Sequence, residues 1–164
     1  MKTSRSRRYC RRAAATVAAG LALLVLAGCS DEPDVPLQPG EAEYVRYCST
    51  CHARDGAGRP PAFPPLAGSE WLGLGPEAVS LVVLLGLRGE IEVAGRTYRG
   101  YMPNMRQVND EELAAVLGFI ADRWAQWDGT PDAGRLAALR ARIADEELLE
   151  GKADLERLLQ RIEP

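Results

Sequence analysis

The 164-residue sequence predicts an all-α fold with one small β-hairpin inserted and a helical tail added at the C-terminus. Three observations carry this. Apolar residues recur at helical spacing in several separate stretches, strand-like alternation is confined to residues 91–98, and the connections between are rich in Gly and Pro. A composition of 46% apolar and 26% charged residues is that of one globular domain with appendages.

The first appendage is a targeting segment. Lys2, Arg5, Arg7, Arg8, Arg11 and Arg12 make the start strongly cationic, and residues 13–27 are uncharged and mainly apolar, which is a signal-peptide layout. That run is shorter than the ~20 residues a spanning helix needs. Leu26-Ala27-Gly28-Cys29 resembles the bacterial lipobox, which implies cleavage before Cys29 and a diacylglycerol on its sulfur. Ser30 to Pro39 holds three prolines and three acids with little apolar surface, so it reads as an extended tether. Beyond residue 28 the chain keeps 14 basic and 23 acidic side chains, a net of −9, which argues against a nucleic-acid partner.

The next element is a short helix over Glu41 to Arg46, with Tyr44, Val45 and Cys48 at helical spacing. It leads into Cys48-Ser49-Thr50-Cys51-His52, the Cys-x-x-Cys-His pattern of covalent haem attachment. Two intervening residues place both sulfurs along one porphyrin edge, and the adjacent His then falls under the iron. A zinc half-site and a thioredoxin-like redox pair share the Cys spacing. Zinc needs further ligands, and no Cys or His follows His52; a redox pair calls for a βαβ context that is not visible.

From here the sequence resembles the class I c-type cytochromes, and in particular the cytochrome c subunits of bacterial dehydrogenases, copper nitrite reductases and cbb3-type oxidases. Gly40 and Tyr44 stand where that family places a Gly and an aromatic on its N-terminal helix, and Pro64, Leu66 and Gly68 match its Pro-x-Leu-x-Gly strap. Residues 62–69 and 85–98 carry the likeness further. The resemblance implies a class I cytochrome c fold, one covalent haem c, and a Pro64 carbonyl that accepts the His52 ring N–H, fixing its orientation.

Pro76 opens a second helix with Ala78, Leu81, Val82 and Leu85 on one face. Ile91-Glu92-Val93, Ala94-Gly95 and Thr97-Tyr98 read as the inserted hairpin. Tyr101-Met102-Pro103-Asn104-Met105 then supplies the thioethers that could complete the iron. Met102 is preferred as sixth ligand because Pro103 restricts its backbone and because the family's ligand Met is often followed by Pro; Met105 is assigned to packing. Trp71, Tyr98 and Arg99 offer donors for the haem propionates. Asn109 with Glu112 resembles a capping box, followed by a stripe of Leu113, Val116, Leu117, Ile120 and Trp124 expected to cross the N-terminal helix near Tyr44. Residues 131–164 carry Leu and Ile at mixed helical spacings and are expected to pack on their own domain.

The resulting division is a lipoprotein signal peptide at 1–28, a lipidated Cys and tether at 29–39, a haem domain at 40–127 and a helical extension at 128–164. The expected cofactor site comprises Cys48, Cys51, His52, Met102, Pro64, Leu66, Trp71 and Tyr98, with His52 and Met102 on the metal and lipid on Cys29. A His/Met iron has no open position, so the expectation is a single-electron carrier, not an enzyme, anchored by lipid in the bacterial periplasmic space and serving redox protein partners without a small-molecule substrate. The alternatives are a fixed cytochrome subunit of a larger oxidase, dehydrogenase or nitrite reductase, a five-coordinate haem sensor, and a lipoprotein whose Cys48 and Cys51 stay free.

Overall fold

The computed structural model describes residues 36–162. The expected signal peptide, the lipid on Cys29 and most of the tether lie outside the described residues. Helix α1 (Glu41–Tyr47) starts from Gly40, with Glu41 and Glu43 in its first turn, where carboxylates suit the positive helix end. After Cys48 the single turn α2 (Ser49–His52) follows. Helix α3 (Pro76–Leu85) has Pro at its first position and ends at Gly86. It buries Ala78, Leu81, Val83, Leu84 and Leu85, so it is enclosed around most of its circumference, where the sequence pattern marks a single face.

Strands β1 (Leu87–Val93) and β2 (Arg96–Met102) pair antiparallel from Leu87 opposite Met102 to Val93 opposite Arg96. Between them Ala94 and Gly95 both take positive φ, 49° and 71°, as a two-residue hairpin turn requires. The hairpin is thus longer than the 91–98 expected, and it runs into Met102 itself. Its extra length was hidden because Gly89 and Gly100, poor strand formers, interrupt the alternation. A third strand not foreseen, β3 (Leu149–Glu150) from the tail, adds parallel to β1 at Leu87 and Arg88.

Helix α4 (Asp110–Ile120) continues through one wider π turn at Ala121–Ala125. Asn109 caps it by accepting the Glu112 N–H at 2.8 Å, but the capping box is only half formed. The Glu112 carboxylate instead accepts from the Asn109 side-chain amide, from Tyr47 Oη at 2.9 Å and from Arg46 at 2.9 Å. It ties α4 to α1, because two donors on the neighbouring helix outcompete one backbone N–H. The helices cross where expected: the Tyr44 and Phe119 rings lie 5.1 Å apart, with Trp124 closing the cluster.

The crossing depends on Gly40. Its φ is +78°, and a Cβ there would sit 2.0 Å from the Ala115 carbonyl oxygen. Gly40→Ala is therefore expected to cost about 2–4 kcal/mol, combining a left-handed backbone penalty with overpacking. Thermal unfolding followed by circular dichroism checks this.

The tail forms α5 (Ala133–Arg142), capped by Asp132 through the Arg135 N–H at 2.8 Å, and α6 (Gly151–Ile162). Leu136, Leu139, Ile143, Leu149, Leu155 and Leu158 are buried in one cluster with Leu81, Leu84 and Leu117. The tail packs on its own domain as expected, but one core crosses the boundary drawn at 127/128.

Candidate functional site

Burial, local hydrogen bonds and strand register together build one site. Tyr44, fully buried, donates its hydroxyl to the Ala53 carbonyl at 2.7 Å and so anchors the residue that follows His52. The Ser49 hydroxyl donates to Val45 O, and Arg59 Nε to Thr50 O at 2.8 Å, so both residues between the cysteines are held. The His52 ring is 9% exposed and its Nδ1 lies 3.0 Å from the Pro64 carbonyl oxygen. A carbonyl can only accept, so the proton sits on Nδ1 and the Nε2 lone pair is left for a metal. Burial also pushes the His52 pKa down, the Pro64 bond opposing it, which favours the neutral ring a metal requires. Gly58 makes the approach possible, since a Cβ there would lie 2.5 Å from Pro64 O.

Among the described residues Cys48 and Cys51 are unbridged. Burial, and then the neighbouring Cys51, push the Cys48 thiol up to about 12. Such surroundings penalise a thiolate, the form a zinc ligand takes, and suit a neutral sulfur such as a thioether.

Two adjoining cavities open beside these residues, with empty volumes of about 840 and 720 Å³ including their mouths. Cys48, His52, Pro64 and Met102 line both. Cys51 and Tyr98 line the first, and Leu66 and Trp71 the second, so every expected haem-site residue within the described residues comes to this one place. Met105 lines the first cavity as well, beyond its expected packing role.

The hairpin forms the floor. Side chains alternate across a strand, so Leu87, Gly89 and Ile91 of β1 share a face with their partners Met102, Gly100 and Tyr98 of β2, and all six line the first cavity. The facing pair Gly89 and Gly100 leaves the middle of that floor without side chains, and among the described residues a Cβ on Gly89 would meet nothing within 4 Å. Sequence reasoning missed this pair. Its signal, two glycines equidistant from the Ala94-Gly95 turn, becomes legible only once the register is known. Leu155 of α6 was missed too, although it is fully buried and lines the second cavity.

The propionate candidates separate. Trp71 Nε1 donates instead to the Glu92 carbonyl at 2.9 Å, because the hairpin backbone passes within its reach, so Trp71 serves as a wall. Arg99 pairs with Glu90 across the exposed strands. Tyr98 is 2% exposed, and its buried hydroxyl has no hydrogen-bond partner among the described residues. An orphaned donor in a cavity wall marks a place for an acceptor on a bound group. A cavity of apolar walls, a flat glycine floor, paired cysteines, a neutral imidazole and one spare hydroxyl fits a haem with its thioether links and carboxylates.

A family model described as cytochrome c oxidase, cbb3-type, subunit III matches residues 35–120. The chain is 47% identical over 91 residues to cytochrome c-552 of Thermus thermophilus, a match covering 53% of this chain and 70% of that protein. Against a second cytochrome c-552 of the same species the identity is again 47%, over 62% of that protein. It is 30% identical over 105 residues to the cytochrome c subunit of the quinone alcohol dehydrogenase of Gluconacetobacter polyoxogenes, covering 62% of this chain and 22% of that subunit.

Proposed function

Since the chain belongs to the cytochrome c family of cbb3-type subunit III and so carries covalent haem c with its iron, we propose that it is a lipid-anchored monohaem carrier on the periplasmic side of a bacterial membrane. One observation carries the reading of the site: the buried His52 ring, oriented by Pro64 at 3.0 Å, stands beside Cys48, Cys51 and Met102 in one apolar cavity.

Haem c supplies an iron that takes up and releases one electron. Cys48 and Cys51 would hold it through neutral thioethers, and His52 would present Nε2 while Pro64 keeps Nδ1 engaged. Met102, whose strand register turns it toward the cavities, would offer its thioether as a second protein ligand to the iron. A thioether ligand would favour the reduced form of the group, and with His52 and Met102 both engaged the chemistry supplied would be electron transfer and not oxygen or peroxide chemistry. The apolar walls exclude water, and the Tyr98 hydroxyl would donate to a propionate that the low-dielectric surroundings otherwise penalise.

On the other face of the hairpin Arg99 pairs with Glu90, and Arg88 pairs with Glu150 of β3, all four more than half exposed, so the charge there is locally balanced despite the acidic chain. The likeness to a subunit of a quinone dehydrogenase supports a second reading, a fixed cytochrome within a larger oxidoreductase. Potentiometric titration of the purified holoprotein is expected to follow a one-electron curve, with no carbon monoxide binding to the ferrous form. Rapid carbon monoxide binding would overturn the carrier in favour of an open-haem sensor.

The anchor has its own test. Cys29→Ser is expected to block lipidation and leave an unprocessed precursor, read by mass spectrometry of the N-terminus. An unmodified Cys29 in the wild-type chain would end the lipoprotein reading.

A further inference from the structure

Residues 103–108, between Met102 and the Asn109 cap, are irregular, so among the described residues their backbone carbonyls have no helix or strand partners of their own. Two of them are taken by the tail. Arg140, in the last turn of α5, donates Nη1 to Arg106 O at 2.8 Å and Nη2 to Val108 O, while its Nε pairs with Asp110 Oδ1 at 2.6 Å. The reciprocal bonds come from the segment itself. Arg106 donates Nη2 to Ile143 O at 3.2 Å, at the C-cap of α5 where the helix dipole is negative, and to Glu146 O at 2.6 Å in the turn that follows. The Arg140–Asp110 pair is about three-quarters buried, with side chains 24% and 22% exposed, so it is less screened than a surface pair.

The same segment is gripped at its start. Met105 N donates to Val83 O at 2.9 Å. A Cβ on Gly86 would lie 2.6 Å from Met102 O, 2.8 Å from Asn104 N and 2.8 Å from Leu148 Cδ1, so α3, the Met102 segment and the tail meet there without slack.

We propose that Arg106 and Arg140 form a two-way staple that makes the C-terminal extension a positioning device for the Met102 segment, and thereby a control on whether the sixth coordination position of the iron opens. This rests on the reading of Met102 as axial ligand. Neither arginine lines the cavities; both act through the backbone that carries the thioether. Releasing the staple frees two segment carbonyls to water and lets Met102 leave the iron without unfolding the helices.

The test uses the full-length ferric holoprotein and two readouts, the long-wavelength charge-transfer band of iron–thioether ligation and the dissociation constant of imidazole, with far-ultraviolet circular dichroism alongside. Arg140→Ala is expected to bind imidazole roughly tenfold more tightly, the scale of losing a hydrogen bond to a charged group, with a weakened band and unchanged helix content. Arg106→Ala should shift in the same direction. Arg140→Lys, able to keep Asp110 but not both carbonyls, should fall between. Arg135→Ala, on the same helix but paired with Glu77, should match wild type. Unchanged imidazole affinity in Arg140→Ala and Arg106→Ala, whatever happens to their melting temperatures, overturns the proposal; should Arg140→Ala fail to fold, Arg106→Ala decides. Met102→Ala separates the two layers. Wild-type imidazole affinity in that variant overturns the ligand assignment, whereas a large gain there with none in the staple variants overturns the staple alone.

Discussion

Cys48→Ser combined with Cys51→Ser is expected to yield, after expression with a haem-maturation system, a chain that runs at apoprotein mass under denaturing conditions, whereas wild type keeps the mass of one haem. The reason is covalent: thioethers survive denaturation and an iron–imidazole bond does not. The loss extends to folding. His52, Pro64, Met102 and Leu155 face cavities whose apolar walls would be left to water or collapse, and a group that binds only the native state stabilises it by mass action. Thermal unfolding of the double variant should therefore come earlier and be less cooperative. Retention of haem mass in the double variant would remove Cys48 and Cys51 from the attachment site.

Met102→Ala should leave the haem attached but abolish the charge-transfer band and lower the midpoint potential by on the order of 0.1–0.3 V, a fraction of the ~0.8 V that axial ligation spans. Met105→Ala provides the comparison. Met105 also lines the first cavity, but its main chain is fastened to Val83 O and Gln107 Nε2 lies 3.8 Å from its sulfur, so its loss should perturb packing and leave the band. The reverse pattern moves the ligand to Met105. Unchanged spectra in both variants would refute His/Met ligation altogether.

Much of the molecule was legible because its signals are local. A Cys-x-x-Cys-His run, a Pro at the start of α3, an Asn ahead of α4 and a positive-φ Ala94-Gly95 turn each depend on neighbours within five residues, and the structure displays the elements they announce. The crossing of α1 and α4 was legible for a related reason, since Tyr44 and Trp124, whose rings meet, both stand at helical spacing in their segments. Where the reading fell short, a distant partner intervened. Glu112 left the capping box for Tyr47 and Arg46, and Trp71 gave its N–H to Glu92 instead of to the cavity.

By itself the sequence determined the chemistry offered to the haem and the helices that present it: two thiols, one imidazole and two candidate thioethers, with the Pro76 start, the Asn109 cap and the Ala94-Gly95 turn written beside them. Tertiary structure decided what encloses that chemistry. The β1–β2 register brings Gly89 opposite Gly100 as a bare floor, α6 returns Leu155 to the second cavity, and α5 places Arg140 against the Met102 segment. Such neighbours are set by burial and hydrogen-bond satisfaction across tens of residues, and no periodicity within a single segment encodes them.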